Sequence, residues 1–120
     1  MVYKYIHTDY LDSVSGGDVE IIREIVDLFR EQVKEISIEM KSLLKEKNYN
    51  SLGMLAHKAK SSVSIMGMDD LATMLKTFEL QAKEGKDSEL YESYITRFTN
   101  ETKVAVTELD DLVKNPIKKS

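Results

Sequence analysis

The sequence predicts an all-α fold: an antiparallel up-down four-helix bundle with a short N-terminal helical segment. Apolar residues recur at steps of three and four along most of the chain, which is the spacing of one face of an α-helix. The β-branched residues follow the same spacing and do not alternate, so no strand is predicted. Most glycines and the single proline fall between these periodic stretches, where short turns are expected to join antiparallel neighbours.

The first long helix is predicted over residues 18–47. Asp18 follows the Gly16-Gly17 pair and is the expected N-cap. A short helical turn near residues 10–14 is expected to precede it, within a leader of residues 1–17. The apolar stripe of the long helix consists of Ile22, Ile25, Phe29, Val33, Ile36, Met40 and Leu43.

The second and third helices are predicted to be shorter. Asn48 is the expected N-cap of the second helix, which stops at Gly67. Asp69 is the expected N-cap of the third helix, and Gly85 ends it. The stripe of the third helix consists of Leu71, Leu75, Phe78 and Ala82.

The fourth helix is predicted to start at Asp87 and to end at Pro116, because proline cannot continue a helix. Residues 116–120 are expected to fray. Residues 1–120 are interpreted as a single domain. The inward-facing residues of the fourth helix are Tyr91, Ile95, Phe98, Thr102, Ala105, Leu109 and Leu112.

The composition narrows the classes of function. The formal net charge is −4, from 21 acidic and 17 basic residues, which argues against nucleic acid or an anionic membrane as the main partner. The chain has no cysteine, so disulfides, thiolate chemistry and cysteine-based zinc sites are excluded. No segment has the continuous apolar length of a membrane span, and the N-terminus has no signal-peptide core. A cytoplasmic location is therefore expected.

His57 is the most informative residue of the second helix. On a helical wheel that starts at Leu52, the apolar side lies within about 60° of that residue, whereas His57 falls at about 140°. Ser64, Ser61 and Lys60 fall at about 120°, 180° and 80°. The helix is therefore predicted to bury one side and to expose an imidazole flanked by hydroxyls and a lysine. A solvated surface histidine without a role would have the same pattern.

Two apolar residues share this polar side. Met54 and Ile65 fall at about 200° and 220° on the same wheel and flank Ser61. Two interpretations stay open: these side chains pack under a neighbouring helix, or they form an exposed apolar patch that marks a docking surface.

Several kinds of catalytic site are not supported. A di-metal bundle needs Glu-x-x-His pairs, but the residue three before His57 is Met54, and His7 lies outside the bundle. No glycine-rich phosphate loop is present. A hydrolytic triad needs an oxyanion hole, which a small helical bundle does not offer in advance. We therefore expect no metal site.

The run from Ala56 to Leu71, AHKAKSSVSIMGMDDL, resembles the signature of histidine phosphotransfer (Hpt) domains. In that family the phosphoacceptor histidine is followed by a lysine three residues on, a small residue four on and a glycine ten on. Here these positions are His57, Lys60, Ser61 and Gly67. The resemblance extends to Phe78-Glu79 and to the start of the first long helix at 18–29, and it covers most of the chain.

The resemblance implies a phosphoryl relay. His57 would accept a phosphoryl group on Nε2 and pass it to or from an aspartate of a receiver domain. Lys60 would offset the phosphoryl charge, and Glu79 would hold the ring by accepting Nδ1–H, unless it is an ordinary solvated glutamate. The implied partners are a response-regulator receiver domain, a hybrid histidine kinase, or both. The receiver would supply Mg²⁺, so no bound cofactor is expected, and the chain would be a monomeric phosphoryl carrier and not a turnover enzyme.

Ser61 departs from the family pattern, which usually has glycine at this position. The docking face for the partner is predicted to surround His57 and to include Met54, Lys58, Ser61, Ser64 and Ile65. Two alternatives stay open. The bundle would bind a receiver or kinase without phosphotransfer, or it would be a small enzyme that uses His57 as a general base.

Overall fold

The chain forms a bundle of four α-helices. The computed structural model describes Gly16 and residues 18–114, and among these no strand occurs. A short 3₁₀ turn, Ser88–Leu90, precedes the last helix. The all-α four-helix bundle is thus confirmed, while the segment at 10–14, Pro116 and the tail at 116–120 lie outside the described residues. The helices are α1 (Val19–Lys45), α2 (Tyr49–Ile65), α3 (Asp69–Glu84) and α4 (Tyr91–Lys114).

Each helix packs against the next helix along the chain, and the first also packs against the last. Helix α2 pairs most extensively with α3, α1 packs against both α2 and α4, and α3 packs against α4. The cross-helix contacts run in opposite directions, because His57 meets Glu79 while Gly53, one turn earlier, meets Lys83, one turn later. Helices α2 and α3 are therefore antiparallel, and only the short segment at 66–68 separates them.

Local signals start and stop most helices where the sequence predicts. The Asp18 side chain accepts a hydrogen bond from the Glu20 N–H at 2.9 Å, and the Asn48 side chain accepts one from the Ser51 N–H at 3.3 Å. Gly85 closes α3 in the left-handed conformation, at φ 66°. A side chain at that φ would be strained, which explains the glycine there.

Three predicted boundaries are corrected. Asp69 is not an N-cap: the cap position is Met68, which makes no side-chain cap hydrogen bond, and Asp69 is the first residue of α3. The reason is the tight connection, in which the Met68 N–H still bonds back to the Val63 carbonyl. Helix α1 ends at Lys45 because Lys47 adopts φ 59°. Asp87 starts the 3₁₀ turn and not α4 itself.

The core consists of the predicted stripes with few changes. Every residue of the predicted stripes of α3 and α4 is buried. In α1 the stripe shifts slightly, because Val26 is buried whereas Ile25 and Leu43 are only partly buried. The single proton of the Tyr91 hydroxyl is shared between the carbonyl oxygens of Gln81 and Lys86, and burial raises the pKa of this tyrosine. These bonds fasten the end of α3 to the start of α4.

Candidate functional site

His57 lies on the outer side of α2. Its side chain is 59% exposed, whereas Ala56, Ala59 and Val63 of the same helix are fully buried. The helix therefore turns its core stripe inward and leaves the imidazole accessible, as the helical wheel predicts. Among residues 18–114, none encloses the ring in the way that a core histidine is enclosed.

Glu79 of α3 holds one nitrogen of this ring. Its Oε1 lies 3.1 Å from His57 Nδ1, and its side chain is only 10% exposed. Glu79 is therefore not a solvated helix glutamate. A carboxylate only accepts hydrogen bonds, so in the neutral ring the proton is assigned to Nδ1 and the lone pair to Nε2. The nitrogen that points away from Glu79 is the one available to react.

The second oxygen of Glu79 is held by Lys83. Lys83 Nζ lies 2.8 Å from Glu79 Oε2, one helical turn along α3. This hydrogen bond is the largest cause that holds the pKa of Glu79 below its ordinary value; burial opposes it, and the hydrogen bond with His57 supports it. The carboxylate is therefore ionised at neutral pH. The sequence analysis missed Lys83, although a Glu followed four residues later by Lys is a recognisable helical pair.

Lys60 stands apart from this network. It is half-buried on α2, and it forms no ion pair with any residue in the described part of the chain. The Ser64 hydroxyl donates to the Lys60 carbonyl at 2.8 Å, and the Ser61 hydroxyl lies 3.5 Å from the His57 carbonyl. Both hydroxyls thus point back along their own helix, and the Lys60 ammonium has no described partner.

Two apolar residues of α2 are exposed, one on each side of His57 along the helix. Met54 is 60% exposed and Ile65 is 39% exposed, so neither packs under a neighbouring helix. Lys58, Ser61 and Ser64 are exposed as well. We call the surface formed by Met54, Lys58, Ser61, Ser64 and Ile65 the site face. All five residues lie on the same helix as His57 and are exposed.

Two further contacts support α2 from below and were not predicted. The Ser62 hydroxyl donates to Gln32 Oε1 at 3.1 Å, which ties α2 to α1. Gly53 lies against α3 at the level of Lys83. A glycine inside a helical pattern signals close backbone approach, but the sequence does not say which helix approaches.

The described part of the chain shows no group of three or more histidines and acidic residues that would hold a metal ion. Across residues 18–114, no helix combines the length and the apolar character that crossing a membrane requires.

Comparison with known proteins gives one match. The family model described as Hpt domain matches residues 24–115, which include the whole of α2 and α3 and thus His57, Lys60 and Glu79. The comparisons with curated proteins and with solved structures found no match.

Proposed function

Since the chain belongs to the histidine phosphotransfer (Hpt) domain family, we propose that it accepts a phosphoryl group on His57 and exchanges it with the aspartate of a receiver domain in a two-component phosphorelay. The family relation gives the role in a phosphorelay. The assignment of that role to His57 Nε2, and to Lys60 and Glu79 as supporting groups, is our inference from the site.

The observation that carries this proposal is the pairing of an exposed ring with a buried carboxylate. His57 is 59% exposed while Glu79, at 3.1 Å from Nδ1, is 10% exposed. In its neutral form, an imidazole held in this way presents Nε2 with a free lone pair, which is a good nucleophile. A solvated surface histidine would have neither a fixed tautomer nor a fixed orientation.

The chemical step is an in-line displacement at phosphorus. The Nε2 lone pair attacks the phosphorus of the receiver's aspartyl phosphate, the new N–P bond forms, and the P–O bond to the aspartate breaks. The aspartate leaves as a carboxylate and keeps the bond's electron pair. The ring becomes positively charged and retains its proton on Nδ1, where the ionised Glu79 stabilises that charge. Reversal of the same step returns the phosphoryl group.

Lys60 supplies the positive charge for the incoming group. It lies one turn from His57 on the same helix and has no ion pair with described residues. An ammonium of this kind offsets the charge on the phosphoryl oxygens during transfer and afterwards. Lys83 is engaged by Glu79 at 2.8 Å, which leaves Lys60 as the better candidate for this role.

The site face is the proposed contact surface for the partner, a response-regulator receiver domain, a hybrid histidine kinase, or both. Apolar Met54 and Ile65 would seal the contact while the ring enters the partner's acidic pocket. Such transient interfaces bury on the order of 1,200 Å² or less in total. We propose that the chain acts as a cytoplasmic, monomeric carrier.

The test is phosphoryl acceptance by two matched histidine variants. The wild-type chain is mixed with a phosphorylated receiver domain or a phosphorylated histidine kinase, and the label on the chain is quantified. We expect an acid-labile, base-stable phosphoryl group on the wild type and on His7→Gln, and none on His57→Gln. The helical signal and melting curve of His57→Gln should stay close to wild type, within about 0.5 kcal/mol, because the substitution is at an exposed polar site. Wild-type labelling of His57→Gln would overturn the proposal, and binding without labelling of any variant would favour a docking module.

A further inference from the structure

Gly53 occupies a position in α2 where a glycine needs a reason. It is buried, it lies inside the helix and not at either end, and it stands one turn before His57. Glycine is the poorest helix former after proline, so a glycine in a helix interior weakens the helix unless its bare backbone is used. The proposed phosphotransfer role does not by itself account for this residue.

The bare backbone at Gly53 is where α3 comes closest. A Cβ at this position would lie 2.8 Å from Lys83 Cγ, 3.0 Å from the Glu79 carbonyl oxygen and 3.2 Å from the Lys83 nitrogen. Two of these three atoms belong to the α3 backbone and cannot simply turn away. A side chain at position 53 would therefore displace Lys83 Cγ and press on the α3 backbone.

The close approach decides where the Lys83 side chain runs. Its stem lies against Gly53, and its ammonium turns back to Glu79 Oε2 at 2.8 Å. The other oxygen of the same carboxylate meets His57 Nδ1 at 3.1 Å. Each oxygen of Glu79 thus has one partner, and the carboxylate is clamped between a lysine and the reactive ring.

The charges around the carboxylate are few. Across the described chain, the groups that pair with Glu79 are Lys83 from its own helix and His57 from α2, and neither α1 nor α4 places a hydrogen-bonding side chain on it. Lys58 and Lys60 of α2 form no ion pair with described residues. Lys83 is therefore the cation that balances the buried carboxylate when the ring is neutral.

This balance matters because a carboxylate beside an imidazole favours the doubly protonated ring. The imidazolium has no lone pair and cannot attack phosphorus. A lysine on the far oxygen opposes the second protonation, since it satisfies the carboxylate without the ring's charge and adds a positive charge nearby. Removal of the Lys83 charge should therefore favour the doubly protonated ring, which is not a nucleophile.

We propose that Gly53 and Lys83 are positioning residues for His57: the glycine lets the lysine lie across α2, and the lysine holds the Glu79 carboxylate, which accepts from Nδ1–H and fixes the tautomer of the ring. This inference deepens the proposed function and rests on it for its biological meaning. Its structural content, the protonation state of the ring, does not depend on phosphotransfer.

The test compares three variants with a matched control. Lys83→Met keeps the stem and removes the charge, Lys83→Arg restores the charge, and Gly53→Ala adds the one carbon that α3 excludes. Lys86→Met is the control, since Lys86 carries the same charge near the same helix end but pairs with exposed Glu84. The ring of His57 is followed by ¹⁵N NMR across pH, and phosphoryl acceptance is measured across pH with one donor.

For Lys83→Met we expect the imidazolium signal to persist to higher pH, by about half a pH unit or more, with the acceptance profile displaced in the same direction. Lys83→Arg and Lys86→Met should match the wild type, and Gly53→Ala should follow Lys83→Met. A Lys83→Met spectrum and profile indistinguishable from those of Lys86→Met would overturn the proposal, even if Gly53→Ala failed to fold. The NMR measurement needs no phosphoryl donor. If the wild type never accepts a phosphoryl group, the proposed function is wrong, but the NMR comparison of the variants can still be made.

Discussion

Helices α2 and α3 are joined by a charged contact between their side chains, and so are α1 and α4, but the two contacts differ in how their partners are exposed. Between α1 and α4, Arg30 bonds to Asp110, and the two side chains are 39% and 41% exposed. Between α2 and α3, His57 is 59% exposed and Glu79 is 10% exposed. The first pair is symmetric in burial and the second is not.

Under the proposed function, this difference separates a contact that only links helices from one that prepares His57 to react. Arg30 and Asp110 satisfy each other, with Asp27 as a further partner of Arg30, and neither retains a reactive atom. In the other pair the buried partner is the anchor and the exposed partner keeps one nitrogen unoccupied. An orienting group has to be rigid and a reacting group has to be reachable, so the asymmetry of burial is the structural mark of the site.

The largest difference between the two contacts is expected when one carboxylate charge is removed from each pair. In Glu79→Gln the new amide has one oxygen, and we expect Lys83 to take it because an ammonium needs an acceptor. The amide NH₂ would then donate to His57 Nδ1 and move the ring proton to Nε2, which is the wrong tautomer for attack. We expect phosphoryl acceptance to fall by about tenfold to a hundredfold, measured with a phosphorylated receiver.

Asp110→Asn is the matched control for that experiment. It should lower the free energy of unfolding by up to about 1 kcal/mol, as exposed ion pairs do, and leave acceptance unchanged. Equal loss of acceptance in both variants would mean that the two contacts act only through the stability of the bundle.

The site face gives the second comparison. Ile65 on α2 and Val104 on α4 are similarly exposed, at 39% and 42%. Ile65→Asp should weaken transfer by about tenfold, which corresponds to about 1.4 kcal/mol of binding, because it places a charge in the proposed apolar contact. Val104→Asp should leave transfer unchanged. Chemical shifts from a receiver titration should cluster around His57; if they were confined to α4, the site face would be wrong.

The free energy of unfolding should also depend on pH through Glu79, and this effect is expected to be smaller than those above. The pKa of Glu79 is lowered in the folded protein. As pH falls below the ordinary value of 4.5, Glu79 therefore binds a proton in the unfolded chain before it does so in the folded chain. Glu79 therefore contributes stability above that pH, and the contribution is lost as pH falls through the lower pKa of the folded protein. We expect the difference in unfolding free energy between wild type and Glu79→Gln to shrink as pH falls below the ordinary pKa of a glutamate, 4.5. A constant difference at every pH at which both proteins fold would refute this linkage.

The smallest effect is expected at Ser61. Its hydroxyl makes only a long contact, 3.5 Å to the His57 carbonyl, so Ser61→Gly removes little. We expect the transfer rate to stay equal or to rise, because the approach to the ring opens. The helix should lose about 0.5 kcal/mol from the poorer propensity of glycine, as judged by chemical denaturation. A clear fall in transfer rate without further unfolding would show that the Ser61 hydroxyl takes part in the reaction.

Much of the fold could be predicted from the sequence because each helix has its own apolar periodicity and cap residues. Periodicity located all four helices, and Asp18 and Asn48 marked the true caps of α1 and α2. Asp69 misled because its residue type suits a cap, while the tight connection moved the cap to Met68. Residue types therefore predict where a helix begins or ends, except where the packing of a short connection moves the boundary.

The site could be predicted only in part, because some of its contacts depend on how the helices pack against one another. The exposure of His57 follows from its own helix, so a wheel predicts it. The burial of Glu79 and the lysine behind it depend on which residues of α3 face α2. That register is set by the contact at Gly53, which periodicity does not encode. The family resemblance pointed to Glu79; neither it nor the periodicity pointed to Lys83.

We propose that Glu79 directs reaction to Nε2 of His57, and the identity of the phosphorylated nitrogen tests this proposal directly. The wild-type chain is labelled on its histidine ring with ¹⁵N, phosphorylated by a receiver or kinase, and examined by ³¹P and ¹⁵N NMR under alkaline conditions that preserve phosphohistidine. We expect one phosphoryl group per chain, bonded to Nε2 of His57, with the Nδ1 signal still that of a nitrogen that donates to Glu79. Phosphorylation at Nδ1, or on a residue other than His57, would contradict the proposal.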